Sequence, residues 1–160
     1  MPTRREFLKA SGVGLGAWAA TQAPATAGGG SSTPYPVVAV APLKTIGKGA
    51  VIAFTYPDPQ SPAVLIRLDG PGRGGVGPDR DIVAYSTLCT HKGCPVAYKP
   101  ERKLIICPCH WSTFDPAKAG VLVIGQASQH LPQIELGIEG GVVQAVGVSG
   151  LIYGRHTNIV

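Results

Sequence analysis

Two short boxes carry the chemistry available to this 160-residue chain: Cys89-Thr90-His91-Lys92-Gly93-Cys94 and Cys107-Pro108-Cys109-His110-Trp111-Ser112. C-x-H in the first and C-x-x-H in the second supply two thiolates and two imidazoles in mixed pairs. A [2Fe–2S] cluster takes such a set when both thiolates bind one iron and both imidazoles the other. Cys89 and Cys107 would then share one iron, and His91 and His110 the second. The remaining cysteines, Cys94 and Cys109, sit one in each box, where a disulfide would clamp the two loops beside the metal. A single zinc ion accepts the same four donors, although its usual spacing of paired cysteines followed by paired histidines is absent. Two structural disulfides would also use all four cysteines, and would leave His91 and His110 without a task.

The cluster reading has electronic consequences. An imidazole bound through one nitrogen keeps the other free for a hydrogen bond or a proton, so His91 or His110 at a domain tip would be the point of electron entry or exit. Two neutral imidazoles in place of two thiolates leave the site less negative, and its potential higher, than that of a four-cysteine cluster.

Loops with this task need a stiff support. β-Branched runs punctuated by turn residues predict strands near Val37–Val40, Val51–Tyr56, Val64–Leu68, Ile82–Ser86, Lys103–Ile106, Ile134–Ile138 and Val142–Val146, with a further short one at Val96–Tyr98. The expected fold is mainly β: a β base domain with a cluster-binding subdomain inserted at about residues 86–120. Pro95 and Pro108 restrict φ where the loops must keep their shape. Gly93 is expected to let the backbone approach the cluster where a Cβ would collide with sulfide. Asp69 to Arg80 holds five glycines and two prolines and reads as a surface loop or loose hairpin tip. A short helical turn is expected around Gln126 to His130.

The amino end points to export. Thr3-Arg4-Arg5-Glu6-Phe7-Leu8-Lys9 precedes a weakly apolar stretch, Ala10 to Ala20, and a small-residue site at Ala25-Thr26-Ala27, the pattern of a twin-arginine leader over residues 1–27. Its apolar part is shorter than the roughly 18 to 20 residues that span a bilayer, so the mature chain, residues 28–160, is expected to be periplasmic without a transmembrane anchor. The leader contributes a net +2 of the chain's +5, and the remaining basic residues are scattered. No nucleic-acid surface is expected from them.

The two boxes, with Cys107 running on to Ser112-Thr113-Phe114-Asp115, resemble the cluster boxes of Rieske iron–sulfur proteins. Gly125-Gln126-Ala127, the stretch from Gln129 through Leu131-Pro132-Gln133-Ile134, and Gly150-Leu151-Ile152-Tyr153-Gly154-Arg155 are similar to the small subunits of arsenite oxidases. The resemblance extends over the leader and from about Tyr35 onward. It implies one [2Fe–2S] cluster per chain and a large partner subunit that holds a molybdenum–pterin centre and a [3Fe–4S] cluster and oxidises arsenite to arsenate. Electrons would pass singly from there to a cytochrome c or a blue-copper protein. No substrate-converting residue is expected on this chain, and Cys94 and Cys109 read as a disulfide rather than a thiol trap for arsenic. Quinol-oxidising Rieske proteins place a serine and a tyrosine just after the last histidine as hydrogen-bond donors toward sulfur. Ser112 matches the first, while Phe114 offers packing in place of the second donor. The segment Leu151–Arg155 is a candidate for the subunit interface, with Tyr153 as anchor. The Rieske subunit of a quinol-oxidising cytochrome complex and the Rieske ferredoxin of a dioxygenase system share the same four ligands and stand as alternatives.

Overall fold

The structure, a computed structural model, describes residues 35–159, so the leader expected at residues 1–27 lies outside the described residues. Among the described residues, ten strands form two antiparallel sheets. The base is a six-stranded sheet built from β1 (Val38–Pro42), β2 (Val51–Thr55), β3 (Pro62–Arg67), β4 (Ile82–Ser86), β9 (Gln133–Glu139) and β10 (Val142–Ser149), in the order β1-β10-β9-β4-β3-β2. Between β4 and β9 the chain makes a separate four-stranded sheet, the tip: β5 (Ala97–Lys99), β6 (Leu104–Ile106), β7 (Thr113–Asp115) and β8 (Val121–Ile124). The protein is mainly β, as the β-branched runs indicate.

Two cores explain why β3 and β4 read as almost unbroken apolar runs. Residues paired across them share a face, so Val64 opposite Tyr85 and Ile66 opposite Val83 point one way, and Leu65 opposite Ala84 the other. Val64, Ile66, Val83 and Tyr85 join Cys89, Val96, Ile105, Cys107 and Phe114 in a core shared by base and tip. Leu65, Ile82 and Ala84 join Ile46, Tyr56, Ile134, Val143 and Ala145 in the second, with Val38 and Val40 of β1 and Ile52 and Phe54 of β2 packed against it. Since all six base strands feed this one cluster, the sheet must curl around it. Irregularities at Ala39–Ala41 in β1 and Ala145–Gly147 in β10 supply local bending.

Polar contacts fix the tip onto the base. The Tyr85 hydroxyl donates to Pro116 O at 2.7 Å, in the 3-10 turn Pro116–Lys118. The glycine-rich stretch 69–80 is docked on its own chain: Arg73 N–H donates to Ala117 O at 2.9 Å, and Gln133 Nε2 donates to Arg73 O at 2.8 Å. Arg67 donates to Asp81 at 2.8 Å and to Ile46 O at 2.7 Å, holding the base of that loop.

The structure departs from the sequence reading in three places. β7 and β8 are additional strands, and the tip sheet runs on to Ile124. The stretch Gln126 to His130 is irregular, and the helical turns lie instead at Leu43–Thr45 and Pro116–Lys118. Asp115, Pro116 and their neighbours account for the second: the Asp115 carboxylate accepts from Ala117 N–H at 2.9 Å, and proline occupies the first turn. Among the described residues no helix is long and apolar enough to cross a membrane.

Candidate metal centre

The two boxes fold as the same loop twice. In the first, Cys89 N–H donates to Cys94 O at 2.9 Å and Gly93 N–H returns to Cys89 O at 2.8 Å. In the second, Cys107 N–H donates to Ser112 O at 2.9 Å and Trp111 N–H returns to Cys107 O at 3.1 Å. Each loop needs a left-handed residue at the fifth place, met by Gly93 at φ 69° and by Trp111 at φ 60°. Glycine takes that conformation freely; tryptophan does so rarely. β4 leads into the first loop and β6 into the second, and β7 leaves the second, so short paired strands set the separation of the loops.

This doubling brings the expected donors together in pairs. Cys89 and Cys107 are free and buried, whereas His110 is exposed and His91 half-buried. The two imidazoles meet edge to face, ring centroids 4.7 Å apart at 79°. Cys94 and Cys109 form a disulfide, with Cα atoms 6.5 Å apart, that joins the loops. Cys107 Sγ lies within 4.8 Å of both disulfide sulfurs, yet oxidised cysteines offer no thiolate to a metal.

Burial pushes the Cys89 thiol up. The neighbouring Cys107 adds to the rise, while the His91 backbone N–H and the Ser112 hydroxyl oppose it by hydrogen bonding to sulfur. His91 is pushed down, first by desolvation, then by His110 and Lys92. A neutral imidazole is the form that binds a metal.

The donor set fits a [2Fe–2S] cluster. His91 Nδ1 is buried without any hydrogen-bond partner, a cost that ligation would remove. Among the described residues, no three of Cys89, His91, Cys107 and His110 bring donor atoms within 4.8 Å of one another. A single zinc with bonds of about 2.0–2.3 Å would need its donors closer together than that. Two metals, one facing the thiols and one the imidazoles, suit donors segregated in pairs.

Around the donors, Ser112 is fully buried, and its Oγ accepts from Ala127 N–H at 3.0 Å. Phe114 is fully buried in the shared core beside Cys89 and Cys107 and contributes packing alone. At Gly93 the described residues themselves leave no room for a side chain. A Cβ there would stand 2.7 Å from the Tyr153 ring, so the close neighbour is an aromatic side chain of the carboxyl-terminal tail. The tail itself is irregular after Ser149, and Arg155 is engaged within the chain by Asp58 at 2.7 Å.

A third loop, 125–132, was not singled out for the site from the sequence. Besides Ala127, its Gln129 O accepts from Thr90 Oγ1 at 2.8 Å, so it is tied to both boxes. A Cβ on Gly125, at φ 118°, would sit 2.8 Å from Ser112 N, which makes glycine obligatory at this approach. Gly125-Gln126-Ala127 and the stretch from Gln129 through Leu131-Pro132 are the signals the sequence offers for it.

The Rieske [2Fe-2S] domain family matches residues 35–135. The iodate reductase subunit IdrB of Denitromonas iodatirespirans is 36% identical over 159 residues, covering 98% of this chain and 86% of that protein. Its counterpart from Pseudomonas sp. (strain SCT) is 40% identical over 115 residues, 70% of this chain and 60% of the relative. Among solved structures, the soluble domain of Rieske protein II from Sulfolobus acidocaldarius superposes with a TM-score of 0.64 at 26% identity, covering 71% of this chain and 78% of that one.

Proposed function

The chain belongs to the Rieske [2Fe-2S] family, and from that premise we propose that it is the electron-transfer subunit of a two-subunit oxyanion oxidoreductase. Cys89, Cys107, His91 and His110 hold the cluster, which supplies a one-electron store when bound. The partner is a large subunit with a molybdenum–pterin centre and a [3Fe–4S] cluster, where arsenite and water become arsenate, two protons and two electrons. This chain passes those electrons singly to a cytochrome c or blue-copper acceptor in the periplasm, which it reaches folded by the twin-arginine route.

The observation that carries the reading is the imidazole pair at the exposed end of a donor set whose thiols are buried. Its chain residues do four things. Buried Cys89 and Cys107 would hold one iron, and half-buried His91 and exposed His110 would hold the other. The buried Ser112 hydroxyl, which accepts from Ala127 N–H, would offer its own proton toward sulfur, favouring the more negative reduced state. The disulfide and the third loop limit movement of the ligand loops between redox states.

A second reading rests on the likeness to iodate reductase subunits over nearly the whole chain. Electrons would then run the other way, from the acceptor side into the large subunit. One experiment separates the two. In the purified complex, arsenite should reduce the oxidised cluster and produce its EPR signal, whereas under the second reading iodate should bleach the signal of the prereduced cluster. Response to neither compound in a cofactor-loaded complex would remove both substrates.

A further inference from the structure

We propose that the carboxyl-terminal tail braces the first ligand loop and that Tyr153 is the positioning residue through which it acts. The Tyr153 ring lies so close to the Gly93 backbone that a Cβ would stand 2.7 Å from two of its carbons. Gly93 is bracketed by functional positions: His91 two residues before it, and Cys94 of the disulfide directly after. Its N–H closes the loop onto Cys89 O at 2.8 Å. A ring seated there restrains the stretch that carries His91.

A brace must itself be fixed, and this tail has no strand to fix it. Side chains do so instead. Ile152 is fully buried, and its N–H donates to Asn158 Oδ1 at 2.9 Å. The buried Asn158 also donates through Nδ2 to Gly150 O at 2.7 Å, which closes residues 150–158 into a loop. Arg155 Nη2 pairs with Asp58 Oδ2 at 2.7 Å, with exposures of only 18% and 16%. Asp58 is held in turn by Gln60 N–H at 2.9 Å and the Ser61 hydroxyl at 3.1 Å. Tyr153 is thus suspended between two anchors, Ile152 and Arg155, on a strut rooted in the turn between β2 and β3.

Comparison of the twin loops shows why the first one needs this. At the place of Gly93 the second loop has Trp111, whose Cβ is present and whose side chain is 69% exposed. Glycine lets its loop adopt many other conformations when nothing opposes them. Tyr153 removes that freedom from outside, through ring packing that uses no donor or acceptor; its phenol oxygen has no hydrogen-bond partner among the side-chain bonds of the described residues.

The inference rests on the ligand assignment proposed above, and the test keeps the two apart. Wild type, Tyr153→Phe, Tyr153→Ala and Arg155→Ala proteins are compared by amide hydrogen exchange at residues 89–94, by EPR of the reduced cluster, and by loss of visible absorbance under an iron chelator. Tyr153→Ala should lose its cluster about tenfold faster, the effect of roughly 1.4 kcal/mol of aromatic packing, with faster exchange at Gly93 and shifted EPR g-values. Tyr153→Phe should match wild type, and Arg155→Ala should move all three readouts in the direction of Tyr153→Ala. Unchanged exchange and g-values in Tyr153→Ala would overturn the brace, and so would equal damage in Tyr153→Phe, because the ring alone is credited. Should Tyr153→Ala fail to fold, Arg155→Ala decides: normal exchange at Gly93 with the tail unlatched overturns the proposal. An absent iron–sulfur signal in wild type would instead sink the ligand assignment, and the exchange comparison at Gly93 would still decide the brace by itself.

Discussion

In the base, β3 and β4 lie between two cores and bury apolar side chains on both faces; in the tip, the four strands are three or four residues long, and Trp111, Val123 and Ile124 stand exposed. The base is held by burial, which acts without direction and is spread over many residues. The tip shares one of these cores through Val96, Ile105 and Phe114, and its ligand loops are held further at points: one disulfide, the hydrogen bonds from Thr90 and Ala127, and the ring over Gly93. A site that needs four donors in fixed relation gains more from a few directional ties than from a larger apolar core. The cost is that each tie matters singly.

The sharpest way to break this comparison is to remove a donor. Cys107→Ser, and likewise Cys89→Ser, His91→Ala or His110→Ala, should abolish or severely reduce cluster assembly while the base keeps its β signature in far-ultraviolet circular dichroism. Iron content at the wild-type level in these variants would contradict the assignment. The converse variant is Leu65→Ala, which empties a fully buried position in the core of the base. It should cost about 2 to 5 kcal/mol in chemical denaturation, and cluster loss should coincide with global unfolding. A cluster lost well before the base unfolds would show that the tip depends on the base less than the shared core implies.

Next in size is the cross-link. Cys94→Ala or Cys109→Ala should retain four donors and loosen the tip, with an effect of about 2 to 4 kcal/mol on the scale of native disulfides. Hydrogen exchange should rise in residues 89–112 and stay low in β3 and β4. Two free thiols at these positions in the purified native protein, seen by mass spectrometry, would remove the clamp.

The sequence made the base and the four donors legible for different reasons. The base strands announce themselves through β-branched runs bounded by turn residues, and strands buried on both faces have the densest runs. The donors announce themselves through residue type, since cysteine and histidine at those spacings have few other uses. β7 is hidden because Thr113-Phe114-Asp115 is short and ends in a carboxylate, whereas β8, Val121–Ile124, is an apolar run between Gly120 and Gly125 of the same kind that marks the base strands. Contacts across large separations left no local trace. Nothing in the spacing of Thr90 and Gln129, or of Gly93 and Tyr153, says that they meet. The glycine was legible as a close approach, while the group that approaches came from sixty residues away along the chain.

The smallest expected effects concern electronic tuning. Ser112→Ala should lower the reduction potential in protein-film voltammetry, because a hydroxyl donating toward sulfur would favour the reduced state. It should also loosen the third loop, since Ala127 N–H loses its acceptor in a buried place. Phe114→Tyr should raise the potential where the new hydroxyl reaches sulfur within the packed core. An unchanged potential in Ser112→Ala would reject the sulfur hydrogen bond and leave Ser112 as a loop fastener.

The central claim is that the paired donors hold a two-iron cluster with its imidazole end outward, and EPR of the reduced chain combined with metal analysis tests it most directly. Two irons and two acid-labile sulfides per chain are expected, with a rhombic signal on one-electron reduction that carries hyperfine coupling from two imidazole nitrogens, and His91→Ala and His110→Ala should lose the signal together with the cluster. A chain that carries one zinc and gives no signal, or a cluster whose spectrum shows no nitrogen coupling, would contradict it.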